Sequence, residues 1–228
     1  MILHLETATK ICSVGLSSQG NLVGVIEKTD EDYIHGEALT ELIAELLKIH
    51  ATNFEALDAI SVSIGPGSYT GLRIGLATAK GLCLGLNIPI IPISSLAALE
   101  SLAVKKHPNK NIISVFDARR DEVFCRIRDT NGNIHMEDAP LILENETFSA
   151  LNNPVCVGEN LEKVNRLTAH PSLVIDEEVK CSAIGQIVLA YHAYQNNRFA
   201  NLASLVPNYT KEVFINQGII PKEGKILK

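Results

Sequence analysis

A short apolar strand ending on a carboxylate, a polar turn and a second strand occur twice in this chain, and that recurrence limits its possible folds more than any single motif. The first copy is Leu3-His4-Leu5-Glu6, the turn Thr7-Ala8-Thr9-Lys10 and a strand over residues 11–17. The second is Ser114-Val115-Phe116-Asp117, the turn from Ala118 to Asp121 and a strand from Glu122 to Arg128. After the first hairpin a third strand is expected over 22–27, and then the pattern changes. Leu39, Leu42, Ile43, Leu46 and Leu47 recur at helical spacing between His35 and Ile49, while Glu37, Glu41 and Glu45 line another face. An apolar strand from Ala59 to Ile64, a helix from about Thr70 to Leu86, a strand from Ile88 to Ile93 and a helix begun by Ser94 or Ser95 follow. The polar run from Lys105 to Asn111 then separates this β-β-β-α-β-α-β-α series from the second copy. That copy continues with a strand around Ile134 to Leu143, a short strand from Val155 to Val157 and an apolar helix from Ser182 to about Tyr194. Two related α/β domains are expected, residues 1–104 and 105–228; chance likeness of two short hairpins is the competing reading.

Of the 228 residues, 46% are hydrophobic and 20% charged, enough for a core and too apolar for a disordered scaffold. The formal charge of −6 lacks the basic excess that a free-standing nucleic-acid binder needs to displace counterions, so an RNA role calls for a partner. Cys12, Cys83, Cys125, Cys156 and Cys181 are far apart, sit in apolar runs and form no C-x-x-C pair. They read as buried, reduced thiols of a cytoplasmic protein. The N-terminus has no basic region before its apolar run, and the most apolar stretch, Gly81 to Leu99, is broken by Asn87, Pro89 and Pro92. Neither a signal peptide nor a membrane span is expected.

The strongest local signal is the loop Gly65-Pro66-Gly67-Ser68 running into Tyr69-Thr70-Gly71-Leu72-Arg73, between a strand and a helix, where backbone N–H groups can face an anion. Its glycine spacing fits neither a P-loop nor G-x-G-x-x-G. Gly67, Gly71, Gly75, Ala79 and Cys83 recur every four residues and leave one helix face nearly bare, a face that admits close approach of another helix. Each interior glycine costs about 1 kcal/mol relative to alanine, which argues against an accident; packing within the monomer competes with packing against a partner. Glu6 and Asp117 are candidates for paired carboxylates across a cleft between the halves, able to hold Mg²⁺ or activate water, against the plainer reading as strand-end carboxylates. No histidine pair has metal-ligand spacing and no G-x-S-x-G elbow occurs, so a metal hydrolase is disfavoured and a peptidase lacks a visible nucleophile and base.

Taken together, Ile2 to Thr9 with Cys12-Ser13-Val14, His35 at a helix start, Gly65 to Gly75 with Ala79-Lys80-Gly81-Leu82, Ser94-Ser95-Leu96, and Phe116 to Arg119 with Glu122-Val123 resemble the TsaB (YeaZ) family of bacterial tRNA threonylcarbamoyladenosine biosynthesis proteins. The resemblance is specific over residues 1–125 and thin beyond, apart from Pro207-Asn208-Tyr209. It implies an α/β fold of the actin-like ATPase (ASKHA) class, two ribonuclease-H-like domains with mixed sheets. It also implies a non-catalytic cytoplasmic paralogue, without cofactor or metal, that supports the catalytic subunit TsaD as a heterodimer, joins TsaE in a ternary complex and meets tRNA indirectly through that complex. No membrane association is implied.

Two departures bear on activity: Glu6 stands where many relatives have Asp, and only Gly158 stands where a nucleotide site would have a glycine-rich adenosine loop. Glu6, Thr7 and Asp117 are accordingly a vestigial nucleotide or metal site. The expected partner interface lies on the two helices: His35, Leu39, Leu42, Ile43 and Leu46 on the first; Tyr69, Thr70, Gly71, Leu72, Arg73, Gly75, Leu76 and Ala79 on the second. A homodimer in isolation would compete for the same face. The alternative is an actin-like ATPase or phosphotransferase using Glu6, Asp117 and the Gly65 to Ser68 turn. The tail, with Lys211, Lys222, Lys225 and Lys228 against Glu212 and Glu223, could contact RNA or the partner, a solvated terminus being the plainer reading.

Overall fold

The computed structural model describes residues 1–29 and 35–209. The Lys211 tail lies outside the described residues, as does the side chain of His35, although its backbone opens a helix. Strands β1 (Ile2–Glu6), β2 (Ile11–Ser18) and β3 (Asn21–Thr29) form an antiparallel meander. Helix α1 (His35–Ile49) leads to β4 (Ala59–Ser63), α2 (Tyr69–Leu86), β5 (Ile90–Ile93) and α3 (Ser95–Lys106). The pattern then restarts with β6 (Ile112–Asp117), β7 (Glu122–Arg128) and β8 (Ile134–Ile142). It closes with β9 (Val155–Gly158), α4 (Leu161–Leu167), β10 (Val174–Asp176), a 3-10 turn (Ala183–Gln186) and α5 (Ile187–Gln195).

The two five-stranded sheets have the same strand order, β3-β2-β1-β4-β5 and β8-β7-β6-β9-β10. In each, two antiparallel pairings are followed by two parallel ones. This is the ribonuclease-H-like pair of an actin-like ATPase fold. The second copy is abridged: no helix intervenes between β8 and β9, and Phe148, from the turns there, fills the core with Ile113, Val115 and Cys156. Short α4 and β10 lie outside the sequence expectation, and the expected helix from Ser182 starts as the 3-10 turn.

Alternation along β1 sets two faces. Leu3 and Leu5 join Leu39, Ile43, Leu46 and Leu76 beneath α1 and α2. Ile2, His4 and Glu6 therefore point the other way, where Ile2 meets Ile91, Ile93 and Ala190 of α5. The halves thus exchange their last helices. Helix α3, from the first half, packs on β6, β7 and β9, whereas the 3-10 turn and α5, from the second, pack on β1, β3 and β5. Leu96 and Leu99 of α3 are wholly buried against Ile112, Phe116, Val155 and Val157. All five cysteines are free and buried. No described helix is long and apolar enough to cross a membrane.

Each fully buried leucine contributes about 1.5–3 kcal/mol, so Leu96 and Leu99 together rival the net stability of a domain, about 5–15 kcal/mol. Fragments 1–104 and 105–228 should therefore each fail to fold alone and recover structure when co-expressed. Circular dichroism melts of each fragment check this; a cooperative melt of 1–104 by itself would contradict it.

Candidate partner surface and cleft

Helix α2 begins where Ser68 caps it, its Oγ accepting from Gly71 N at 3.2 Å. The loop ahead of it is braced against the β1–β2 turn: Ser68 N donates to Ala8 O at 2.7 Å, and Gly67, at φ +152°, leaves no room for a Cβ beside Ala8. Gly65 O accepts from Ser95 N at 3.0 Å, so loop polar groups are spent within the molecule. Thr7 Oγ1 donates to Gly71 O at 2.9 Å, and a Cβ at Gly75 would run into that hydroxyl.

The expected interface therefore needs correction. Gly71, Leu72, Gly75, Leu76 and Ala79 are buried in the chain's own core, as are Leu39, Leu42, Ile43 and Leu46 of α1. The bare stripe turns inward because it lets α2 lie close over Thr7 and β1. Of the expected residues with described side chains, Tyr69, Thr70 and Arg73 are exposed. Sequence reading had Thr70 and Arg73 but missed the rest of the outer line: Ala77, Gly81 and Leu84 are exposed like them, with Gly85 beside them, and a Cβ at Gly81 or Gly85 would meet nothing among the described residues within 4 Å. Leu84 is 76% exposed. Across the helix pair α1 exposes Gly36, Thr40, Ala44 and Ile49, with Glu41 and Glu45 also in solvent. A Cβ on Gly36 would be 3.9 Å from Ile74 Cδ1, so the two exposed faces adjoin. Arg73 was the available signal, since a charged residue on the Ala77–Gly81 line marks the line that faces water.

Glu6 and Asp117 have different fates. Glu6 is wholly buried. Its Oε1 accepts from Ala8 N at 2.8 Å and its Oε2 from Gln186 Nε2 at 3.2 Å. Burial pushes its pKa up, against the hydrogen bonds from Ala8, Ser63, Gln186 and Cys181. The carboxylate ends a buried polar chain that local sequence did not reveal. Ser17 Oγ lies 2.7 Å from His4 Nε2, His4 Nδ1 lies 2.6 Å from Ser61 Oγ, and Ser61 Oγ donates to Gln186 Oε1 at 2.7 Å. With Ser61 donating onward, His4 carries its proton on Nδ1 and accepts from Ser17 on Nε2. Burial pushes the His4 pKa down to about 3.

Asp117 instead lines an open cleft of about 580 Å³ between the halves, with Thr9, Lys10, Asn160, Lys180 and Cys181 among its walls; Glu6 is not among them. Burial works to raise the Asp117 pKa, but Lys163 Nζ and Asn160 Nδ2, which both donate to Oδ1, outweigh it and hold the carboxyl low. Neighbouring Glu159 is raised by burial and by the Asp117 charge. Among the described residues no group of three or more His, Cys, Asp or Glu side chains is placed to hold a metal ion. The structure therefore puts Thr7 and Glu6 behind the cleft wall and Asp117 in it, tied to Lys163.

The model of the family TsaD, tRNA N6-adenosine threonylcarbamoyltransferase, matches residues 31–219. The TsaB protein of Haemophilus influenzae is 35% identical over 123 residues, 54% of this chain and 51% of its own. That of Escherichia coli is 33% identical over 147 residues, 64% of this chain and 63% of its own. The chain thus spans between half and two thirds of these relatives. A crystal structure of a protein with similarity to peptidase YeaZ, from Pseudomonas aeruginosa, superposes with a TM-score of 0.81 at 25% identity, covering 92% of this chain and 99% of that one. YeaZ of the same organism gives 0.77 at 24% identity over 91% and 98%.

Two outcomes follow. Gly75→Leu should destabilise the isolated chain by about 1–3 kcal/mol through overpacking on Thr7, measured by urea unfolding; unchanged stability would contradict the inward stripe. For His4 the folded pKa lies below the ordinary 6.5. Between pH 6.5 and about 3 the unfolded chain binds a proton that the folded chain refuses, so the His4 contribution is full above 6.5 and is lost as pH falls. The stability difference between wild type and His4→Gln should shrink on acidification by up to about 1.4 kcal/mol per pH unit. Parallel pH profiles of the two proteins would contradict this.

Proposed function

The chain belongs to the TsaB (YeaZ) branch of the TsaD threonylcarbamoyltransferase family, and we propose that it serves tRNA threonylcarbamoyladenosine formation as a binding subunit rather than as the catalyst. In this reading the outer face of α1 and α2 packs against the corresponding helix pair of TsaD, and TsaE joins the resulting pair. The observation that carries it is the second bare line of α2. Gly81 costs about 1 kcal/mol in the helix interior, Gly85 stands in the last turn, and nothing among the described residues lies near enough to need their smallness. A helix from another chain packing at close range would need it. Exposed Leu84 and Ile49, 76% and 61% accessible, supply apolar area beside the line.

The non-catalytic assignment draws support from Glu6, whose oxygens are taken by Ala8 N and Gln186 Nε2 behind the cleft. The alternative, an ATPase or phosphotransferase acting in the cleft, would have to work with Asp117 already paired to Lys163. Calorimetry with Mg·ATP separates the two, because micromolar binding with turnover would replace the subunit reading. Reconstitution of this chain, TsaD, TsaE, threonylcarbamoyl-adenylate and tRNA, omitting each protein in turn, should yield modified adenosine next to the anticodon only when this chain and TsaD are both present. Product formed without TsaD would refute the proposal.

Gly81→Leu tests the face itself. The isolated variant should keep or gain stability, by up to about 1 kcal/mol from helix propensity, yet fail to co-elute with TsaD. Co-elution at the wild-type level would remove α2 from the interface.

A further inference from the structure

Helix α2 is flanked on one side by α1 and on the other by the last described stretch of the chain. Lys80 Nζ donates to Ala203 O at 3.5 Å, and Asn208 N donates to Ile64 O at 2.7 Å. Residues 203–209 therefore run beside α2 toward its N-terminal end, and there Tyr209 closes on Arg73. The guanidinium carbon sits 3.9 Å from the Tyr69 ring centre and 6.0 Å from that of Tyr209. The two rings are 5.3 Å apart, and Arg73 Nε donates to the Tyr209 hydroxyl at 3.0 Å. Arg73 itself is exposed, and no carboxylate among the described residues pairs with it. It stands on the same outer line as Ala77 and Gly81.

No charge partner among the described residues accounts for this investment. A cation toward the N-terminal end of a helix gains nothing from the helix dipole, and an exposed arginine left to itself samples many rotamers. Here the rings fix the plane of the fork in advance, which removes an ordering cost that association would otherwise carry. Resting on the partner reading above, we infer that Arg73 is the polar anchor of that surface, a pre-set guanidinium fork that receives a carboxylate from the protein helix packing against α1 and α2. Tyr69 and Tyr209 are its positioning residues. A protein carboxylate fits better than an RNA phosphate chain. One carboxylate, bound end-on by the two Nη groups that the Nε–Tyr209 hydrogen bond leaves open, satisfies a single fork, whereas a polyanion calls for a run of cations, and the adjoining α1 face carries Glu41 and Glu45.

The test is the affinity of the full chain for TsaD, measured by calorimetry over a salt series, for wild type, Arg73→Ala, Arg73→Lys and Tyr209→Ala. Arg73→Ala should weaken binding at least tenfold without lowering the melting temperature, and the salt dependence of binding should flatten. Arg73→Lys should not restore the affinity, because it keeps the charge and loses the fork. Tyr209→Ala should fall between wild type and Arg73→Ala. Wild-type affinity in Arg73→Ala overturns the anchor, and wild-type affinity in Arg73→Lys overturns the fork. If the wild-type chain shows no binding to TsaD, the partner reading fails and this inference falls with it. If wild type binds and Arg73→Ala binds equally, only the anchor is lost.

Discussion

One buried carboxamide holds the two halves of this molecule in register. Gln186, from the second half, donates to Leu5 O and Glu6 Oε2 of the first and accepts from Ser61. A second bond across the same seam runs from Ala183 N to Ser13 Oγ at 2.9 Å. Each of these groups would cost about 1–3 kcal/mol if left buried without a partner, so the seam forms completely or not at all. Its geometry is open to Gln186 only because α5 has crossed to the first sheet, and its completion takes Glu6 out of the cleft. The interlock that stabilises the fold thus also decides which carboxylate meets solvent.

Much of the architecture was legible because its signals are local and periodic. The two hairpins, the heptad-like run of α1 and the strand–turn–helix at Gly65 could be read from residues a few positions apart, and the equal strand orders confirm that two similar copies are present. Helix α4 spans two turns and β10 three residues, too short for periodicity to accumulate. The orientation of α2 was ambiguous for a different reason. It carries bare lines on two faces, Gly71–Gly75–Ala79 and Ala77–Gly81–Gly85, and four-residue spacing is the same signal for both. Deciding between them requires knowing that Thr7 lies beneath Gly75. Gln186 and Ser61 are 125 residues apart, and no property of either residue alone predicts their meeting.

The abridged second copy explains why the outer helix pair exists once. In the first half α1 and α2 lie side by side over Leu3 and Leu5; in the second, the turns around Phe148 and the short α4 do that work with less chain. The extended face is therefore bordered by the returning C-terminal stretch, while the second half offers, among the described residues, no helix pair of comparable length. The two similar halves are thus unequal, with a helix pair over the core in one and compact turns in the other.

The buried thiols have a practical consequence. Burial pushes Cys12 and Cys83 up to about 11 and Cys125 to about 12, and raises Cys156 and Cys181 as well. The thiolate is the species that alkylates and oxidises, so burial and the raised pKa both disfavour reaction of the five thiols at neutral pH, Cys181 being the one that also borders the cleft. A cysteine introduced on the outer line, at exposed Ala77 for instance, is by contrast solvent-facing and therefore favoured for labelling over the buried thiols. A fluorophore or spin label can then report on that face without first stripping the core of sulfur.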